Sequence, residues 1–321
     1  MPPPALRSAP RWWDRTLARA LAAAGLVCVL AVGGALGWLR WNEDALVFAT
    51  DLSHARREAP LPPYAQRLEI PDQDGSRLAA LLFPAASTND SGYWVLHFHG
   101  NADSAFSAVQ VRHCEQLRAL GLNVLSFDYR GFGESAGVAS EEHLYEDAGS
   151  AYEALIRRGV SPARIILWGH SLGSAPAVEL ATREPAAALV LFGAFTSIPD
   201  AAASLYPLLP VRWIAGIHMD SLQRIRHVHI PVIIVHSTQD SLIPFAEGQR
   251  LYQAANPPKR FLPLTDAAAD GFGGHVNGLY DHLQLLLPPL SALLHVRFSV
   301  PAGGVSPAAS VSGSQAAPAV P

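Results

Sequence analysis

The sequence predicts an α/β fold, a mostly parallel β-sheet covered by helices on both faces, with an apolar helix ahead of it. Three observations carry that expectation. From residue 94 onward, short apolar runs alternate with helical patterns, and strands that alternate with helices assemble into parallel sheets. The stretch "WGHSLGS" (168–174) joins one such run, "RIILWG", to a helical pattern, "LGSAPAVELATR", so a sharp strand-to-helix turn falls on a serine between glycines. Finally, 20 uncharged residues stand between Arg19 and Arg40, enough at 1.5 Å per residue for about 30 Å, the thickness of a bilayer core.

Arg7, Arg11, Arg15 and Arg19 precede that run, and Glu43, Asp44 and Asp51 follow soon after Arg40. An excess of arginine marks the cytoplasmic side of a span. Residues 1–19 are therefore expected in the cytoplasm, 20–39 in the bilayer as a single-pass anchor, and the rest outside, periplasmic in a bacterium. Trp12 and Trp13 on one side, and Trp38 and Trp41 on the other, suit the two interfacial belts. A cleaved signal peptide, with Ala35 and Gly37 near the cut, would instead give a secreted protein. A buried globular helix is a third reading, weakened because the run is apolar on every face. Residues 40–63 are expected as a linker, 64–298 as one α/β domain, and the Pro/Ala/Gly/Ser-rich stretch 299–321 as a disordered tail.

Within the domain the strand-like runs are "RLAALLF", "WVLHFH", "NVLSFD", "RIILWG", "ALVLFG", "PVIIVH" and "KRFLPL". Helical apolar spacing marks 107–120 and 172–183, the second with Pro176 inside it, at the expected cost of a backbone hydrogen bond. The 37 residues between Gly193 and Pro231 suffice for two or three short helices, a small lid over a shallow site. Their Leu205, Tyr206, Leu208, Leu209, Trp213 and Ile214 are expected to face either the core or a pocket.

In parallel sheets functional loops gather beyond the carboxyl ends of the strands, and candidate chemistry stands there in order. Ser171 follows "RIILWG". Asp240 follows "PVIIVH". His275 ends the long segment after "KRFLPL". A serine hydroxyl attacks only when a base titrating near neutrality takes its proton, and that base needs an acid to fix its tautomer. The developing oxyanion needs two placed donors. The N–H of Leu172 and the N–H of Asn101, in the loop after "HFHG", are the candidates, with His99 bracing that loop. Alternatives are Asp240 as the cap of the following helix and His282 as the base. His227 and His229 alternate like a metal pair but lack a nearby third ligand. The Gly-rich "YRGFGESAG" reads as a structural connection.

Several motifs together then resemble the α/β-hydrolase superfamily: "HGN" at 99–101, "DYRGFGES" at 128–135, "GHSLGS" at 169–174, "FTS" at 195–197, "QDSLIP" at 239–244 and "GH" at 274–275. Within it the chain is most similar to single-span, membrane-anchored serine hydrolases related to protein depalmitoylases and bacterial esterase-like proteins. The resemblance implies an eight-stranded sheet, a Ser171–Asp240–His275 triad and neither cofactor nor metal. It also implies cleavage of a small acyl ester or thioester. Ser237 departs from it, standing where such proteins carry glycine.

Composition narrows the rest. A net charge of −4 over 321 residues offers no basic surface for nucleic acid. The two cysteines, Cys28 and Cys114, lie too far apart in character to form a disulfide framework. A peptidase of the same fold and a non-catalytic hydrolase-like interaction protein remain as rival readings.

Overall fold

The computed structural model describes residues 12–56, 58–72, 75–86, 88–265, 272–296 and 298. The segment 299–321, expected as a disordered tail, lies outside them, as do 266–271 ahead of His275.

Eight strands form one sheet in the order β1-β2-β4-β3-β5-β6-β7-β8. They are β1 (Gln66–Pro71), β2 (Arg77–Phe83), β3 (Trp94–Phe98), β4 (Asn123–Phe127), β5 (Ile165–His170), β6 (Ala188–Phe192), β7 (Val232–Ser237) and β8 (Lys259–Leu264). β2 runs antiparallel to β1 and to β4, and every pairing from β4 through β8 is parallel. All seven apolar runs became strands. β1 was absent from that reading because it is a half-exposed edge strand whose Arg67 and Glu69 face solvent, so its charge masks its period.

Alternate side chains of the central strands enter opposite cores, as the two-residue period requires. Leu96, Phe98, Leu125, Phe127 and Leu167 pack on one face, and Val95, Val124, Ile166 and Trp168 on the other. Both faces are covered, which is why β4 to β7 are buried along their whole length and read as continuous apolar runs.

The helices begin with α1 (Trp12–Trp41), followed by the short α2 (Glu43–Val47) and α3 (Thr50–His54). From Thr16 to Trp41, α1 is long and apolar enough to cross a membrane, with none of that window buried against the protein. The expected linker is not a free connector over this stretch. Phe48 is buried in the core edge-on to Phe132, and the Ser53 hydroxyl accepts from the Gly133 amide (2.9 Å).

In the domain proper come α4 (Ala108–Ala119), α5 (Glu141–Arg157), α6 (Ser174–Arg183), α7 (Ile198–Leu205), α8 (Val211–Ile214), α9 (Ser221–Arg224), α10 (Phe245–Ala254), α11 (Gly278–Asp281) and α12 (Leu283–Leu294). α6 starts at Ser174, so Pro176 is its third residue. The first turn of a helix has N–H groups without intrahelical acceptors, and the expected hydrogen-bond cost at Pro176 falls away. The segment between β6 and β7 holds the short helices α7, α8 and α9, as its length suggested. Ile217, Met219, Ile225 and Val228 of this segment are buried in the core, whereas Leu208 and Trp213, at 96% and 92% exposure, face neither core nor cavity.

Candidate active site

β5 delivers Ser171 to the carboxyl edge of the sheet. The chain turns through one 3₁₀ turn, 171–173, directly into α6. Ser171 has φ 49°, a left-handed conformation that a non-glycine residue adopts only where the surroundings enforce it. The glycines on either side explain how. A Cβ on Gly169 would stand 2.7 Å from the Gly173 carbonyl and from the Ser174 Cα, and a Cβ on Gly173 would collide with the carbonyls of Phe98 and His99. The two glycines therefore let the elbow press against β3, and the Ser174 hydroxyl locks it by donating to the Ser171 carbonyl (2.6 Å).

The three residues singled out from the sequence come together, although 104 positions separate Ser171 from His275. Ser171 Oγ lies 2.9 Å from His275 Nε2, and His275 Nδ1 lies 2.6 Å from Asp240 Oδ2. The other Asp240 oxygen, Oδ1, accepts from the amides of Leu242 (2.9 Å) and Ile243 (2.8 Å). Asp240 thus also orders the turn before α10, but the cap position of that helix is Pro244. Burial alone would raise the Asp240 carboxyl. Hydrogen bonds with His236 and His275, the charge of His275 and the Ile243 amide outweigh it and hold Asp240 well below the usual carboxylate range. An acid that stays ionised beside an imidazole orients it and stabilises its protonated form. His282, the alternative base, instead bonds the Gly278 carbonyl (2.8 Å).

Three further groups hold His275, and none was singled out as a site residue from the sequence. His170, buried next to Ser171, donates from Nε2 to the His275 carbonyl (2.8 Å) while its ring stacks on Phe192. Burial and the charge of His275 push His170 down to about 4, so it is neutral near pH 7 and supplies a donor without a competing charge. Ser237 donates to the Gly273 carbonyl (2.6 Å). The serine that departs from the family pattern therefore ties the acid strand to the histidine loop. Gly193, at φ 56°, leaves the room that the imidazole needs, since a Cβ there would stand 2.9 Å from His275 Cε1 and Nδ1. His170, Gly193 and Ser237 stand in the sequence as ordinary residues at or just past strand ends, and only the pairing of β5, β6 and β7 brings them to His275.

The loop after β3 closes the site on the other side. A Cβ on Gly100 would come within 3.4 Å of Ser171 Cβ. The Asn101 side chain reaches away from Ser171: its Nδ2 donates to the Val47 carbonyl (2.7 Å) and its Oδ1 accepts from the Ala49 amide (2.9 Å). Its backbone N–H takes part in neither of these contacts. His99 donates from Nδ1 to the Gly100 carbonyl (2.9 Å) and faces Asp128 from Nε2. The Asp128 carboxylate accepts from Ser104, Ala105 and Glu134, so the "DYRGFGES" turn is a structural clasp for this loop. Behind it Arg130 is buried and pairs with Asp72, Glu146 and Asp147. Among the described residues no group of three His, Cys, Asp or Glu comes together to hold a metal.

A fold with this elbow and this strand order can be compared with known proteins. A family model described as serine aminopeptidase, S33, matches residues 92–221. An uncharacterized protein of Mycobacterium tuberculosis is 37% identical over 245 residues, covering 76% of this chain and 86% of that protein. The chain belongs to the α/β-hydrolase superfamily. The lysophosphatidylserine lipase ABHD12 of Danio rerio is 33% identical over 198 residues, covering 54% of this chain and 52% of the relative, so this α/β-hydrolase spans about half of that lipase. Among solved structures, the Pyrococcus furiosus esterase Pf2001 superposes with a TM-score of 0.59 at 21% identity, over 75% of this chain and 97% of the esterase, which shows the shared fold.

Proposed function

We propose that this α/β-hydrolase cleaves carboxylic esters or thioesters through an acyl-enzyme formed on Ser171. The observation that carries the reading is the continuous chain of hydrogen bonds from Ser171 through His275 to Asp240, at 2.9 and 2.6 Å, on a strained elbow. His275 Nε2 takes the hydroxyl proton as Ser171 Oγ attacks the carbonyl carbon, and the tetrahedral oxyanion is met by the N–H groups of Leu172 and Asn101. Collapse expels the alcohol or thiol, which receives the proton from His275. Water then attacks the acyl-enzyme, again with His275 as base; the acyl bond to Ser171 Oγ breaks, His275 returns the proton to that oxygen, and the acid leaves. Losing one oxyanion donor in such a site typically costs about 3 kcal/mol of transition-state stabilisation.

The lipase named among the relatives favours a lipid ester as substrate, and α1 favours anchoring in a membrane, with the arginine-rich N-terminus in the cytoplasm and the hydrolase domain outside it. The family model's description favours a second reading, cleavage of an aminoacyl amide. The deciding experiment labels the full chain with a fluorophosphonate and compares turnover of esters of graded chain length, thioesters and aminoacyl amides. Modification at Ser171 with ester or thioester turnover bears the proposal out. Turnover of amides alone gives the site to the second reading, and absence of labelling with no turnover leaves the fold without this chemistry.

A further inference from the structure

From the end of α7 through α8, residues 205–214 carry a run of exposed large apolar side chains. Leu208 is 96% exposed, Trp213 92%, and Leu205, Tyr206 and Leu209 nearly half. An exposed patch of large apolar side chains implies something that covers it. The chain shows what lies nearby. At the far end of the apolar helix, Arg40 pairs with Glu43 (3.1 Å). Both Glu43 carboxylate oxygens accept from the Gly216 amide (2.8 and 2.9 Å), and one also accepts from the Ile217 amide (3.0 Å). Gly216 lets the Arg40 guanidinium lie against its Cα, where a Cβ would have to push the arginine aside. A second carboxylate, Glu141, accepts from the next two amides, His218 (2.8 Å) and Met219 (2.9 Å). Four consecutive amides are thus clamped by two carboxylates, and the chain just after the apolar segment is fixed to the end of α1.

Trp213 precedes Gly216 by three residues, a reach of about 10 Å even when fully extended. Beside Arg40 in sequence, α1 presents Trp38 and Trp41, 59% and 90% exposed, the aromatic residues expected at the boundary of a bilayer. A second copy of the chain is not required to explain the patch, because the bilayer that α1 enters is already held beside it.

We infer that residues 205–214 form a membrane-docking surface, seated in the interface of the bilayer that α1 crosses. The inference rests on reading α1 as a membrane span. It gives the proposed hydrolase a substrate source: acyl esters that reside in the bilayer and enter past α7 and α8.

The test uses the full chain with Cys28→Ala, reconstituted in phosphatidylcholine vesicles. Cys114 is buried and its thiol is pushed up to about 12, so it stays unlabelled. An environment-sensitive fluorophore is attached at Leu208→Cys, at Trp213→Cys or, as a reference, at Glu153→Cys near the far end of α5. Vesicles whose acyl chains carry bromine should quench the first two labels roughly two-fold or more relative to unbrominated vesicles, and leave the third unchanged. Equal quenching at all three sites, in protein that floats with the vesicles, overturns the inference. Protein that fails to float overturns the membrane-span reading and the inference with it, whereas fluorophosphonate labelling of Ser171 reports on the hydrolase reading separately. Disulfide-linked dimers through Leu208→Cys, with no lipid quenching, would assign the surface to a second copy.

Discussion

The elbow at Ser171 and the segment 205–214 follow adjacent parallel strands, β5 and β6, yet they are built on opposite principles. The elbow is buried: Ser171 is 8% and His275 2% exposed, and each glycine beside Ser171 touches backbone on contact. Its geometry is over-determined, which is how a left-handed serine persists. Segment 205–214 turns Leu208 and Trp213 outward; it is tied to α7 by the Arg212–Asp200 pair (2.8 Å) and, at its return, to Glu43 and Glu141. The first region stores its specificity in packing and the second in what it meets. Substitutions should separate the two.

The largest effect is expected at the elbow itself. Ser171→Ala and His275→Ala should each lower kcat by a factor on the order of 10⁴ or more, and the double variant should be little worse than either, because groups acting as a unit do not add. His282→Ala should keep turnover. Steady-state rates on a soluble ester check all four, and a dead His282→Ala beside an active His275→Ala would move the base.

Next in size is the packing that makes the elbow. Gly173→Ala places a methyl against two carbonyls of the loop after β3, and overpacking of this kind costs about 1–3 kcal/mol. A lowered Tm together with a lost fluorophosphonate signal is the expected result. Unchanged melting with full labelling would show that the turn relaxes and that its strain is not enforced.

A smaller, pH-dependent effect comes from the buried histidines behind the site. His170 is pushed from 6.5 down to about 4 by burial and by His275, and His97 down to about 3 by burial and by His99 and His170. The unfolded chain binds these protons more readily than the folded one. Stability is therefore full above pH 6.5 and is lost as the pH falls through the window from 6.5 toward 4 and 3. His170 accounts for at most about 3 kcal/mol of that loss. Chemical unfolding of His170→Asn as a function of pH should show a shallower decline over the window, and an unaltered slope would remove His170 from the account.

How legible each region was in the sequence follows from the same contrast. Buried parallel strands announce themselves as unbroken β-branched runs; Ser171 and Asp240 were singled out because each stands just past the end of one, and His275 because it ends the long segment after the last. β1 was missed since an exposed edge carries charge on its outer positions. His170, Ser237 and Gly193 were missed since their roles exist only across strand pairings, and no local pattern marks a side chain that bonds a carbonyl 105 residues away. The linker hid Phe48 and Glu43 for the same reason. The apolar residues of 205–214 were visible, but their outward direction was not: core and exposed patch have the same composition, and only the clamp at Gly216 distinguishes them.

The smallest effect on stability is therefore expected where hydrophobicity is greatest. Trp213→Ser removes a large aromatic ring, a change that in a core costs roughly 3–5 kcal/mol when truncated to alanine. At 92% exposure the ring has little packing to lose, and the stability in detergent, read from the Tm, should change by no more than the ~0.5 kcal/mol typical of surface changes. Trp168→Ser, at a fully buried position whose indole donates to the Tyr280 hydroxyl (3.1 Å), should by contrast unfold the domain or lower its Tm severely. Turnover then carries the other half of the comparison. For Trp213→Ser the ratio of activity on vesicle-borne ester to activity on a soluble short-chain ester should fall several-fold, because only the first substrate depends on docking. A Trp213→Ser variant that melts as early as Trp168→Ser would mean that the segment is packed in solution, and the division between a packed elbow and an outward-facing surface would not hold.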